Sequence, residues 1–376
     1  MLVKEVSARK IRDSRGEPTI EISINDSRAS SPSGKSKGKY ETPSYHNSLD
    51  WNVKALNSLK IPFSINSFND LSKVEFLIKK TFKLKDVKQF GANALFALES
   101  AILKALAKSQ HKELWQLINS NAKRMPIPLG NAVGGGLHSS NKNKPDFQEF
   151  LIIPNKKSIK ENVKIMNNIY NKLKLITKAT SINDEGALQT SLGNEAIIKL
   201  LSKFKNKINI GLDIAASSLY CKVDYYYKNE ILNKNAQIFY INFLIKDYNL
   251  FYVEDPLEEN DFKGFAKINK HALVCGDDLT ATHISRLKKA IKSKSINAMI
   301  IKPNQNGSLL EVAEIFKLCK KHNIKTILSH RSGETMDNAL ADYAFAFQAN
   351  FIKTGIKTRW REVKLKRLID IEKSKP

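Results

Sequence analysis

Cysteine is nearly missing from this chain: three residues in 376, Cys221, Cys275 and Cys319. Their spacing matches no metal-ligand motif and offers no disulfide framework. They fit a reducing compartment, and each is expected as a small buried apolar side chain. Long apolar runs are missing too. None approaches the roughly 20 residues needed to cross a bilayer, so no membrane span is expected. The opening segment, Met1–Lys10, carries charges throughout and no apolar stretch, so no secretory signal is visible and a cytoplasmic location is expected. Acidic residues are in deficit, 37 against 62 basic ones, a net charge of +25. That excess admits a polyanion partner such as nucleic acid or a charged surface. The basic residues fall in dispersed clusters, however (Lys156–Lys160, Lys203–Lys207, Lys364–Lys375), and lysine and asparagine are abundant everywhere. Polyanion binding is therefore carried as an alternative and not as the main role.

What is present is material for a large core, 42% hydrophobic residues, in a chain long enough for two domains. Residues 1–124 read as an α+β unit. Val3–Asn25 alternates charged and apolar residues around Asp13-Ser14-Arg15-Gly16-Glu17-Pro18, which predicts two strands and a turn. Ala29–Gly38 is rich in small residues that bury no core, and is expected as a mobile loop or lid. Apolar periodicity predicts helices over Leu71–Phe82 and Ala92–Lys108, with Trp115 and Leu117 extending the helical region. Met125-Pro126-Ile127-Pro128 breaks the pattern and places a boundary there. Over residues 125–376, apolar runs alternate with helical stretches. The runs lie at Asp146–Pro154, Ile208–Ala215, Leu250–Val253, Ala272–Cys275, Ala298–Ile301, Thr326–Leu328 and Phe351–Ile352. This alternation predicts an α/β fold with a closed β/α barrel.

Each later run gives way to polar residues: Asp213, Glu254 with Asp255, Asp277 with Asp278, Lys302, His330 with Arg331, and Lys353. Successive strands of a closed barrel end on one rim, so these residues converge although 23 to 41 positions separate them. A single acidic residue at a strand end is most simply a helix cap. Three in barrel register, Asp213, Glu254 and Asp277, form an all-oxygen ligand set suited to a hard cation such as Mg²⁺. Two lysines and an arginine on the same rim point to an anionic substrate, because unpaired buried positive charge is costly. Lys302 is either a salt-bridge partner of the carboxylates or a base whose pKa a nearby divalent ion lowers. His330, structural if taken alone, sits in Ser329-His330-Arg331-Ser332, a donor cluster suited to phosphate and carboxylate.

Further stretches carry a resemblance. They are Ala8–Thr19, Pro32–Ser36, Gly91–Ala94, Gln148–Phe150, Asp184–Gly186, Leu212–Ser217, Val253–Leu257, Gly276–Leu279, Ile301–Gln305, Ser329–Thr335 and Ile352–Gly355. Together and in this order they make the chain resemble the enolase (phosphopyruvate hydratase) family over nearly its whole length, with the Gly134–Gly136 run and Pro303 closest to archaeal members. The resemblance implies an N-terminal α+β domain followed by a ββαα(βα)₆ TIM-type barrel, assembled as a homodimer or larger homo-oligomer. It implies a lyase of glycolysis and gluconeogenesis that reversibly dehydrates 2-phosphoglycerate to phosphoenolpyruvate with two Mg²⁺ per site. Asp213, Glu254 and Asp277 match ligands of the first Mg²⁺, and Ser36 that of the second. Lys302 matches the base and Glu185, helped by Glu149, the acid. His138, Gln148, Glu149, His330, Arg331, Ser332 and Lys353 match or adjoin substrate-binding positions. Another proton-abstracting enzyme of the same superfamily is the alternative, and the phosphate set of Arg331, Ser332 and the Ser36 loop speaks against it. Three departures stand out: a shortened N-terminal region, a single glycine after Glu185, and Ile356–Glu362 where the family usually has a Pro and an Arg-Ser-Glu-Arg-like run.

Overall fold

The structure, a computed structural model, describes residues 1–35, 38–59 and 63–375. The N-terminal strands Val6–Arg12 and Pro18–Ile24 pair antiparallel around the predicted turn, Val6 opposite Ile24 and Arg12 opposite Pro18. Ile20, Ile22 and Ile24 alternate inward and are wholly buried. They meet the Ala92–Ser109 helix, whose sequence is apolar nearly all round, as befits a helix covered on most sides. Its N-cap, Gly91, adopts φ 102, and a Cβ there would collide with the Tyr45 backbone, so only glycine fits. The chain turns after this helix with His111 at φ 53, and Leu114–Asn119 forms a separate helix rather than an extension.

The expected loop at Ala29–Gly38 needs correction at its start. Ser27–Ser30 is a third strand, paired with Pro18–Ile24. Ala29, Ser30 and Ser31 are buried, with the Ser30 hydroxyl donating to Thr335 Oγ1 at 2.8 Å. Small side chains here allow close packing and do not signal solvation. Ser36, the expected second-metal ligand, lies outside the described residues.

Eight strands close the barrel: Ile127–Gly134, Glu149–Pro154, Ile208–Asp213, Tyr252–Glu254, Leu273–Gly276, Ala298–Ile301, Lys325–Ser329 and Phe351–Lys353. They follow one another in this order, and the last pairs with the first, Lys353 opposite Leu129. The second strand runs antiparallel to both neighbours, and two helices, Ile159–Thr177 and Asn194–Ser202, separate it from the third. This is the ββαα(βα)₆ arrangement.

Side-chain parity explains what faces where, because successive residues of a strand point to opposite sides. Leu129, Leu151, Ile153, Tyr252, Cys275, Ala298, Ile300, Ile327 and Phe351 make one buried cluster inside the barrel. Their neighbours Leu212, Val253, Met299, Ile301, Leu328 and Ile352 belong to the cluster between strands and helices. Of the cysteines, Cys275 lines the interior and Cys319 packs outside, but Cys221 is exposed in the Tyr220–Cys221 hairpin strand, contrary to expectation. No helix among the described residues is long and apolar enough to cross a membrane.

Candidate active site

The interior parity runs to each strand end or one residue past it. Two positions beyond Leu151 against the chain direction stands Glu149; two beyond Tyr252, Cys275, Ile300 and Phe351 stand Glu254, Asp277, Lys302 and Lys353. The rim is thus built by extending the inward face of each strand into polar residues. Glu149, Asp277, Lys302 and Lys353 border a cavity of about 290 Å³, together with Asp213, His138, Gln148, Glu185, His330, Arg331 and Ser332, and Glu254 reaches it through Lys353. A larger groove, about 530 Å³, opens at the opposite end of the barrel beside Phe68, Phe316 and Phe347. No carboxylate lines it, so the chemistry belongs to the smaller cavity.

Lys353 is the hub. Its Nζ lies 2.9 Å from Glu149 Oε2, 3.1 Å from Asp213 Oδ2 and 2.9 Å from Glu254 Oε2. Burial works against its charge, but these three carboxylates hold its pKa well above the usual lysine range. Even so, Glu254 is pushed up to about 8 by burial and by Asp213, against the pull of Lys353. Tyr252, one layer below, donates to Glu254 Oε2 at 2.7 Å. Gln148 Nε2 donates to Asp213 Oδ2 at 3.3 Å.

Lys302 pairs with Asp277, Nζ to Oδ2 at 2.5 Å. Burial raises the Asp277 pKa, but Lys302 outweighs it and the carboxylate sits below its ordinary value. Burial and the nearby Arg331 disfavour the Lys302 ammonium, and Asp277 more than compensates, so its pKa is raised. In this arrangement Lys302 is the salt-bridge partner that the sequence left open.

The expected Asp213–Glu254–Asp277 set is not the tightest grouping. Among the described residues, ligand atoms converge within 4.8 Å in two other groups, His138–Glu149–Glu185 and Asp255–Asp277–Asp278. The reason is that the Lys353 ammonium occupies the space between Asp213 and Glu254. Asp255 accepts from the backbone N–H groups of Asp277 and Asp278, at 2.9 and 2.7 Å, and so orients that turn. The donor set still suits a hard cation. It is all oxygen, it is over-supplied with negative charge, and Asp277 Oδ1 is buried with no hydrogen-bond partner.

Across the cavity, Glu185 and Glu149 lie beside His138, with side-chain atoms of all three within 4.8 Å of one another. Burial pushes both carboxyls up, but His138, with Arg361 adding to it, pulls Glu185 well below the usual range. Burial, with Glu185 and Asp213 adding to it, outweighs Lys353 and leaves Glu149 well above. Their environments thus pull the two carboxyls in opposite directions, Glu149 up and Glu185 down. Asn131 donates to Glu185 Oε2 at 3.3 Å, and His138 Nδ1 lies 3.5 Å from Oε1. His330 is buried and kept neutral, first by burial and then by Arg361.

Arg331 is gripped by a residue that sequence reasoning missed. Glu41 takes two hydrogen bonds from Arg331 NH2, at 2.8 and 3.0 Å. Asn304 Oδ1 accepts from NH1 at 3.3 Å. Ser332 Oγ accepts from the Lys35 backbone N–H at 2.8 Å, which joins the N-terminal segment to the rim. An acidic residue in a markedly basic stretch (Gly34–Glu41) was the signal available for Glu41.

Both halves of the chain match known family models. The enolase N-terminal domain matches residues 3–118, and the enolase C-terminal TIM barrel domain matches residues 122–375. Proteins named enolase are similar over their full length. That of Methanocorpusculum labreanum is 35% identical, with 98% of each chain covered. That of Natronomonas pharaonis is 34% identical, with 99% of each covered. That of Archaeoglobus fulgidus is 34% identical over 99% of this chain and 97% of its own. With an inward-facing rim of carboxylates and lysines on a ββαα(βα)₆ barrel, and with relatives matched end to end, the chain belongs to the enolase family.

Proposed function

We propose that this protein is a phosphopyruvate hydratase, a hydro-lyase that reversibly dehydrates 2-phospho-D-glycerate to phosphoenolpyruvate. The observation that carries the reading is the meeting, in one cavity, of Lys302, Lys353 and the Glu149–Glu185 pair with Arg331 and Ser332. The substrate is a small dianion to trianion with a carbon acid in its middle. Arg331 and the Ser332 hydroxyl bind its phosphate, with His138, Gln148 and His330 lining the remainder. Lys302, once neutral, takes the proton from the carbon next to the carboxylate. Lys353 sits where negative charge builds on that carboxylate and stabilises it. The Glu149–Glu185 pair gives its proton to the departing hydroxyl, which leaves as water. One proton is taken and one given, so the reverse reaction uses the same groups.

Asp213, Glu254 and Asp277 would hold one Mg²⁺, and Ser36 is assigned to a second. Bound there, the two ions would supply Lewis-acid stabilisation of the substrate carboxylate, and Asp277, once a ligand, would no longer be the counter-charge that holds Lys302 protonated. We place the domain boundary between residues 124 and 125, and we assign the protein to the cytoplasm as a homodimer or larger homo-oligomer, a state that sedimentation velocity reads directly.

The test is direct. Purified protein with 2-phosphoglycerate and Mg²⁺ should produce the ultraviolet absorbance of phosphoenolpyruvate, and chelator should stop it. Well-folded protein that produces no signal at saturating Mg²⁺ would sink the reading.

A further inference from the structure

The run Ile356–Glu362, which departs from the family's usual pattern, contains a residue that the mechanism above does not use. Arg361 is completely buried near the start of the Arg359–Ser374 helix. Its guanidinium donates to three backbone carbonyls: Arg331 O at 2.7 Å, Ser332 O at 2.7 Å and Asp184 O at 3.3 Å. The first two belong to the phosphate-binding loop, and the third precedes Glu185. One rigid, planar group therefore spans the two loops that carry opposite ends of the site.

The surroundings hold this bridge in place. Thr358, the N-cap of the helix, has φ 80, a costly conformation for a β-branched residue. Backbone strain of this kind persists only where the surroundings impose it. Gly186, at φ 82, packs directly on that turn, so that a Cβ there would lie 2.9 Å from Lys357 O and from Thr358 Cγ2. One helical turn further on, Lys364 Nζ donates to Thr335 O at 2.7 Å and pairs with Glu334 Oε2 at 2.5 Å, fixing the far end of the same loop. Arg361 itself donates to carbonyl dipoles and forms no ion pair among the described residues, an expensive way for a buried cation to gain stability alone.

We propose that Arg361 is a positioning residue that sets the distance between the Glu185 turn and the Arg331–Ser332 loop, and so matches the site to the length of a phosphorylated hydroxy acid. The inference rests on the function proposed above. It also explains how a chain that lacks the family's usual run keeps the site in register.

The test uses the full-length protein with Arg361→Met, close in volume but uncharged, and Arg361→Lys. Wild-type turnover is measured first, which examines the function on its own. Circular dichroism and melting confirm folding, and calorimetry reads inorganic phosphate and Mg²⁺ binding. Arg361→Met should leave Mg²⁺ affinity within about 2-fold, weaken phosphate binding and raise KM by about 10-fold, and lower kcat by about 100-fold, the scale of loss that a misplacement near 1 Å produces. Arg361→Lys, which reaches the phosphate loop or the Glu185 turn but not both, should recover KM more than kcat. Folded Arg361→Met with wild-type KM and phosphate affinity would overturn the proposal. If the Met variant does not fold, Arg361→Lys decides, and wild-type kcat in that variant would overturn it equally. If the wild type itself does not turn over, the phosphate affinities still decide the positioning role.

Discussion

Lys302 and Arg331 show how much a single charge depends on its counter-charge. Asp277 holds Lys302 protonated, and Glu41 neutralises Arg331. Replacing Lys302 with Ala should reduce phosphoenolpyruvate formation by about 10⁴-fold, the upper range for removal of a general base, while calorimetry shows Mg²⁺ still bound. Replacing Glu41 with Gln keeps the shape but frees the Arg331 charge. Inorganic phosphate should then bind several-fold more tightly, and unchanged or weaker binding would mean that Glu41 aims Arg331 and does not compete for it. The inward residues were legible in the sequence because strand parity, once begun by Tyr252, Ile300 or Phe351, runs on to Glu254, Lys302 and Lys353. Glu41 and Arg361 were not. Each acts from a helix start or loop, where no period relates a residue to the barrel axis. The opposite shifts of Glu149 and Glu185 were also hidden, since they depend on groups such as His138 that meet Glu185 only in three dimensions.

The Ala92–Ser109 helix was read correctly from its period, yet its apolar sequence conceals a buried carboxyl. Glu99 Oε2 accepts from the Leu309 N–H at 2.7 Å, at the start of the barrel helix Leu309–Lys321, and Oε1 has no partner. Burial, then Glu75, raises the Glu99 pKa well above the ordinary value. The sign follows: the stability that neutral Glu99 contributes is complete below its unfolded pKa, about 4.3, and is lost as pH rises through the folded value. Glu99→Gln keeps the acceptor and removes that loss. Its melting temperature should match wild type near pH 4 and exceed it by a few degrees at pH 8. An equal difference at both values would count against this account. Gly91→Ala should act in the opposite sense, lowering stability by several kcal/mol, because φ 102 and the Tyr45 backbone both oppose a side chain. Ser27–Ser30 escaped sequence reading because its residues have weak strand preference, and only pairing and contact with Thr335 and Asp337 make it a strand.

At the scale of the whole molecule, a net charge of +25 surrounds a site for an anion. Such a field speeds encounter with the substrate and opposes compactness, and salt screens both. Raising KCl from 20 to 300 mM should therefore lower kcat/KM several-fold, with kcat little changed, and raise the melting temperature. A kcat/KM indifferent to salt would show that the dispersed lysines exert no net pull at the cavity. The barrel itself was legible as alternating runs. The register of the closing pair was not, since Lys353 and Leu129 lie more than two hundred positions apart.

That closure has a consequence for how the chain comes to be folded. Lys353 lies on the last strand, while Glu149, Asp213 and Glu254 lie on strands made long before it. During synthesis the carboxylates are available first and their shared cation arrives near the end. An incomplete barrel gathers like charges with nothing at their centre, and so resists premature collapse around its own mouth. The final strand supplies both the missing row of hydrogen bonds and the ammonium that lets the mouth contract. Docking of that strand and assembly of the site are one event, and a ribosome stalled before Phe351 should present an open, protease-sensitive sheet.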